Sequence, residues 1–258
     1  MGKHSYLKWF KARVKRAITD YNMITNGDRV VIGLSGGKDS AVLLDVLARV
    51  RREVPVNYDL HAVLIHMGWP MDIDVLEHFC REREIPFTCK YTNIGEVVFE
   101  HRKDKSPCAI CANLRRGALN NTVRDLGYNK LALGHHLDDV IETFFMSLFY
   151  TGQFKTFSPV TYMDRSGVTL IRPLIYHSGK TVENFRERYE LPVVKNPCPV
   201  AGETKRKEMA EIIDYLGGFY PDLRHNFVTA LQSLDPKNLW PPALNKRRLP
   251  QQNPPKGS

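Results

Sequence analysis

The chain has 258 residues, long enough for one α/β domain with a smaller part appended. Hydrophobic residues make up 43%, ordinary for a globular chain. No apolar run reaches the length of a membrane span, the longest candidate, 140–150, being broken by Glu142. Lys plus Arg exceed Asp plus Glu by 37 to 28, a net +9 compatible with a polyanionic partner. Five cysteines, an odd number, and no secretory h-region argue against a disulfide framework, so a reducing cytoplasm is the expected compartment.

Tyr6, Leu7, Phe10, Val14, Ile18 and Tyr21 recur at helical spacing among basic residues, which predicts an amphipathic helix over 3–25. An apolar strand, Arg29 to Leu34, then breaks into Ser35-Gly36-Gly37-Lys38-Asp39-Ser40, and a helix follows at once over 41–50. A strand over 59–66, a helix over 72–84 and a strand over 86–91 come next. Cys108-Ala-Ile-Cys111 precedes a basic helix from about residue 112 to 126, which leads to a strand from Lys130 to Leu133. Gly134-His135-His136-Leu137-Asp138-Asp139 then opens a helix running to about Tyr150. A strand over 168–175 and helices over 181–190, 204–217 and 221–233 complete the pattern.

Strands alternating with helices predict an α/β fold with a parallel five-stranded, doubly wound sheet and extra N- and C-terminal helices. The expected division is a basic helical extension over 1–27, a nucleotide-binding domain over 28–195, and a helical segment over 196–240 that carries Cys198. A Pro-rich tail over 241–258 is expected to be irregular.

Three constellations carry chemistry. In the Ser35–Ser40 loop, strand, glycine turn and helix N-terminus build an anion site from backbone N–H groups and the helix dipole. Gly36 and Gly37 let the backbone approach phosphate, Ser35 and Ser40 add hydroxyls, and Asp39 suits a magnesium ion. No G-x-x-x-x-G-K-[ST] motif is present, so the loop is not a Walker A sequence. The cysteines form the second constellation: Cys108, Cys111 and the proline-flanked Cys198 suit iron or zinc, or the CxxC alone a redox pair. Cys80 and Cys89 share spacing with apolar neighbours and are expected in the core. The third is Gly134 to Asp139, placed by its preceding strand at the sheet's C-terminal edge, where open α/β sheets bind ligands. One aspartate there suits magnesium or a phosphate edge, with capping of the helix as the plainer alternative.

The S-G-G-K-D-S loop resembles the PP-loop of the ATP pyrophosphatases, which cleave ATP between its α- and β-phosphates to adenylate a substrate. The stretch Tyr21-Asn-Met-Ile before Gly27-Asp-Arg resembles the tRNA 2-thiocytidine synthetases within that group. So do C-x-x-C-x-x-L-R-R-G, G-H-H-x-D-D, and the I-R-P-L strand with a later Pro-Cys. The similarity runs from about Lys11 to Leu234. It implies ATP, Mg2+, a 4Fe-4S cluster on Cys108, Cys111 and Cys198, a tRNA pyrimidine as substrate, and commonly a homodimer. A cysteine expected three residues after Cys198 is replaced by Ala201, a sign of a divergent branch.

On that resemblance ATP rests its phosphates on Leu34 to Ser40 and Gly134, with adenine near Ile65 and His66. Asp39 and Asp139 are the magnesium candidates, and Lys38 and Arg115 the cations that stabilise developing charge. Sulfur is expected from a cysteine desulfurase or a small sulfide or persulfide source. The N-terminal helix and Lys205-Arg206-Lys207 are candidates for gripping RNA phosphates, with a solvated basic face as the plainer alternative for the N-terminal helix. Three readings stay open: a cluster-dependent tRNA thiolase acting on cytidine or uridine, a lysidine-forming type of tRNA ligase with zinc or no metal on the cysteines, and a nucleotide-binding redox or sulfur-carrier protein.

Overall fold

A computed structural model describes residues 2–101, 107–194, 198, 205–235, 237 and 239. The expected irregular tail over 241–258 and the Ala201 position lie outside the described residues. The chain begins with helix α1, Lys3–Asp20. Phe10, Val14, Ala17 and Ile18 form its buried face, packed into the same core as the first strand and second helix. The helix stops earlier than the periodicity predicts because Asn22 takes a left-handed conformation (φ 46°), after which buried Met23 and Ile24 lead into the sheet.

Strand β1 (Arg29–Leu34), helix α2 (Lys38–Arg51), strand β2 (Asp59–His66), helix α3 (Ile73–Arg81) and strand β3 (Phe87–Tyr91) form the first half of the sheet. A short helix α4 (Ile94–Glu96) and a π-helical turn (Val97–His101) come before the long helix α5 (Pro107–Asp125). The chain then returns through strand β4 (Lys130–Ala132) and helix α6 (Leu137–Thr151) to strands β5 (Val160–Met163) and β6 (Val168–Ile171). Helices α7 (Gly179–Arg188), α8 (Lys205–Phe219) and α9 (Leu223–Gln232) follow.

The sheet has six strands in the order β3-β2-β1-β4-β6-β5. The five parallel strands are those expected; β5 is an added antiparallel edge, paired with β6 across a turn at Gly167 (φ 68°). The strand predicted over 168–175 ends at Ile171, since Pro173 has no N–H for the ladder. Val30, Val31 and Ile32 of β1 are fully buried between helices on both faces, which is why this strand reads as an unbroken apolar run.

The strand order reverses between β1 and β4, whose partners are Val30 with Lys130 and Ile32 with Ala132. The crevice beyond their carboxyl ends is therefore the topological switch point of the sheet. Both Ser35–Ser40 and Gly134–Asp139 leave the sheet there. Cys80 is fully buried, as expected, whereas Cys89 is only half-buried because β3 is an edge strand.

Candidate active site

The loop after β1 is organised by its own hydroxyls. The Ser35 amide donates to Ser40 Oγ (3.1 Å), the Gly37 amide donates to Ser35 Oγ (3.2 Å), and Ser40 Oγ donates to the Gly37 carbonyl (2.9 Å). Gly37 is the N-cap of α2, and no side chain caps that first turn. Its free amides and the helix dipole therefore suit an anion. Gly36 has φ 81°, a region closed to most side chains. Lys38 Nζ sits 2.7 Å from Asp39 Oδ1, so cation and carboxylate stand together at the loop's edge.

The segment after β4 packs directly onto this loop. A Cβ at Gly134 would lie 2.8 Å from the Asp39 carbonyl carbon and 3.1 Å from the Ser40 amide nitrogen, so glycine is required by the close backbone approach. His136, 8% exposed, brings Nε2 to 3.8 Å from Asp39 Oδ1. Its backbone N–H donates to Asp139 Oδ2 (2.9 Å), which caps α6. The other Asp139 oxygen accepts from Arg206 Nη1 of α8 (2.6 Å). Asp138 accepts from the Gly179 amide (2.8 Å) and from Arg224 Nε (2.6 Å), tying α6 to α7 and α9. The capping alternative thus describes Asp139, while Asp138 ties α6 to its neighbours, and Asp139 would have to exchange Arg206 for a magnesium ion.

Glu142, one turn along α6 and 8% exposed, has its pKa pushed up to about 7 by burial, with Arg206 opposing and Asp139 and Asp138 adding to the rise. Burial, helped by the charges of Arg172 and Arg206, lowers the pKa of His135 to about 4, so its imidazole is neutral at physiological pH.

Cys108 and Cys111 lie within the first five residues of α5 rather than before it, since that helix begins at Pro107. Cys108 is exposed; Cys111 is half-buried against the cluster that includes Ile65 at the end of β2. Burial raises the Cys111 pKa, Arg115 lowers it, and Cys198 and Cys108 raise it further, so each of those two thiols acts on Cys111. Among the described residues no three His, Cys, Asp or Glu stand close enough to ligate a single ion. A 4Fe-4S cubane spreads three thiolates over three irons, a wider set than one tetrahedral ion needs. The all-thiolate donor set and the half-buried Arg115 cation, itself facing Cys111, fit such an anionic cluster.

One contact on each side of Cys198 in the sequence reaches the crevice, one to the phosphate loop and one to α6. Upstream, the Val194 amide donates to the Gly36 carbonyl (2.9 Å). Downstream, Arg206 reaches Asp139. Sequence reading missed the first because a backbone contact leaves no residue signature. It did not foresee the second, since Arg206 reads as a candidate phosphate grip and its partner Asp139 is distant in sequence. Lys205 is likewise engaged, with Glu208 (2.8 Å), and Lys11 and Lys15 of α1 both pair with Glu53. Leu34 and Ile65 point into the core (1% and 3% exposed), so only their backbones remain for a nucleotide, whereas His66 is part-exposed beside Tyr91.

A PP-loop domain model matches residues 7–207. A tRNA-cytidine(32) 2-sulfurtransferase from Citrifermentans bemidjiense is 37% identical over 241 residues, 92% of this chain and 94% of that one. A protein of the same name from Pelobacter propionicus is 40% identical over 230 residues, 88% of this chain and 86% of the relative. Among solved structures, the U34-tRNA thiolase NcsA from Methanococcus maripaludis with its 4Fe-4S cluster superposes with a TM-score of 0.74. It is 27% identical, over 90% of this chain and 82% of that one.

Proposed function

Because the chain belongs to the PP-loop family and, within it, to the tRNA-cytidine 2-sulfurtransferases, we propose that it replaces the 2-oxo group of a tRNA cytidine with sulfur at the expense of ATP. The clasp between Gly36 and Val194 carries this reading. It ties the phosphate loop to Val194, four residues before Cys198, and the Cys198 thiol acts on that of Cys111, which supports one crevice for activation of the base and delivery of sulfur.

ATP lays its phosphates on the Ser35–Ser40 loop and the uncapped first turn of α2, with adenine beside His66. Asp39 is the first choice for holding Mg2+, and Lys38 balances charge on the departing pyrophosphate. The cytidine O2 attacks the α-phosphorus, the bond to the β-phosphate oxygen breaks, and pyrophosphate leaves. A hydrosulfide equivalent then adds to C2, and AMP leaves carrying the original oxygen. Cys108, Cys111 and Cys198 would hold a 4Fe-4S cluster, which with three protein ligands supplies an iron open to sulfur. Arg115, which the Cys111 thiol acts on, would supply a cation beside the cluster. The sulfur source is a desulfurase or small sulfide or persulfide donor, the working unit a homodimer and the compartment the cytoplasm. Among the described residues no helix is long and apolar enough to cross a membrane.

Anaerobic purification tests the reading. The expected protein is brown, with about four irons per chain, and converts unmodified tRNA to 2-thiocytidine with release of AMP and pyrophosphate. A colourless zinc protein, or release of ADP, overturns it.

A further inference from the structure

Away from the phosphate loop, a cleft runs between α1 and α9. It holds a cavity of about 660 Å3 that includes Tyr21, Phe157 and Leu231 in its walls, and an adjoining one of about 510 Å3 that includes Trp9, Arg13 and His225. Arg16, Tyr176 and Gln232 line both. Helix α9 buries none of its residues, so the cleft stays open along its length. Leu137 also lines both cavities, one residue from the His136 that meets Asp39. The cleft thus begins beside the reaction crevice.

Arginine and aromatic side chains alternate along it. Arg13 lies 4.6 Å over the Trp9 ring and Arg16 lies 5.6 Å over Tyr176. Arg172, only 7% exposed, lies 4.6 Å over the Phe157 ring. Among the described residues no carboxylate pairs with Arg172, and its Nε has no hydrogen-bond partner. That buried cation polarises the ring that faces the cavity. Gln232 Nε2 donates to the Tyr21 and Tyr176 hydroxyls (2.9 and 3.2 Å), and Tyr176 donates to Asp20 (2.8 Å), so polar groups are fixed at the mouth. Asp20 pairs with Arg16, whereas Arg13 has no carboxylate partner among the described residues.

Aromatic faces interleaved with cations are the chemistry that takes single-stranded nucleic acid, base on ring and phosphate on arginine. The larger cavity also falls in the size range of small-ligand pockets. We propose that this cleft seats an unstacked loop nucleotide flanking the reacting base, with the base against Phe157 and its phosphate at Arg13 and Arg16. The inference rests on the reading of the protein as a tRNA-modifying enzyme.

The test is fluorescence anisotropy of the anaerobically purified holoprotein with a hairpin RNA that copies a cytidine-bearing anticodon stem and loop. The loop positions are replaced one at a time by abasic residues. Wild-type protein is expected to lose about tenfold in affinity at one flanking position. Phe157→Leu is expected to lose a similar factor on the intact RNA and nothing further on that abasic RNA. Arg13→Gln with Arg16→Gln, two exposed changes that leave the core intact, is expected to weaken every RNA and to flatten the salt dependence by a slope of about 0.7, for the one phosphate they hold. Wild-type affinity in Phe157→Leu and in the double arginine variant overturns the cleft assignment, as do losses that add at every loop position. If wild-type protein binds no RNA, the tRNA-modifying function falls with it.

Discussion

Six consecutive residues, Ser35 to Ser40, carry the phosphate loop, whereas the proposed cysteine site would draw Cys108 and Cys111 from the start of α5 and Cys198 from beyond α7. The loop is complete in itself: its serines and glycines satisfy one another, and Ser40 is 5% exposed. The cysteine site has an exposed Cys108 and depends on contacts made elsewhere, the Val194 amide on Gly36 and Arg206 on Asp139. A nucleotide site of this kind survives changes in the remainder of the crevice. A site assembled from distant stretches fails when one of its ties is cut.

The largest expected effect follows from that difference. Cys198→Ser removes one of three thiolates and should lower cluster iron and 2-thiocytidine formation by more than about 100-fold, beyond the range for loss of supporting contacts alone. Nucleotide affinity should stay within about twofold, because the loop makes its own hydrogen bonds. Iron and sulfide assays read the first and equilibrium ATP binding the second. A variant that loses ATP binding as well would erase the distinction between the two regions.

Gly134→Ala attacks the loop from outside. The new methyl would meet two backbone atoms of Asp39 below 3.0 Å and the Ser40 amide nitrogen at 3.1 Å, and backbone cannot swing aside as a side chain can. The expected cost is about 1–3 kcal/mol in urea unfolding, with weaker ATP binding and an unchanged iron content. Equal losses of iron and of ATP affinity would mean that the two regions respond as one.

How much of this was legible in the sequence follows the same division. The phosphate loop reads directly because its chemistry is contiguous and its flanking strand is buried on both faces. The five parallel strands read for the same reason. Strand β5 was hidden because it is short and lies at an edge, with Tyr162 61% exposed, so its apolar alternation is weak. The end of α1 was overrun because Asn22 breaks the helix while Met23 and Ile24 keep the apolar pattern going. Arg206 read as a phosphate grip because its partner Asp139 is 67 residues away, whereas the partner of Lys205, Glu208, stands three residues on along the same helix. The buried Arg172 was quoted only as part of a strand motif, since burial without a counter-charge is a property of the fold.

Glu142 lies where the two regions meet, and its protonation offers a gentler probe. Its folded pKa is raised from 4.5 to about 7, so the native state holds a proton that the unfolded state has released between those values. The associated stability is fully present below pH 4.5 and is lost as pH rises through 7. A shift of that size amounts to on the order of 3 kcal/mol at most. Glu142→Gln, neutral at every pH, should therefore flatten the stability profile between pH 5 and 8 in thermal or urea unfolding. A profile as steep as that of the wild type would assign the titration to another group.

The smallest expected effect is at Arg206, whose side chain is 43% exposed. Its ion pairs with Asp139 and Glu142 are partly solvated, so Arg206→Gln should cost no more than about 1 kcal/mol of stability. Its consequence lies in what the arginine ties together. Without it, Asp139 keeps its cap on the His136 amide while the downstream hold on the Cys198 stretch is gone. Glu142 also loses the cation that opposes its raised pKa, so the pH-dependent loss of stability should move to higher pH. If the cysteine site depends on its ties, Cys198 in protein stripped of iron should be alkylated faster in this variant while Cys108, already exposed, changes little. Equal rates at Cys198 in variant and wild type would leave the Val194 hydrogen bond to Gly36 as the tie that matters, and would place the coupling between the two regions on the phosphate loop itself.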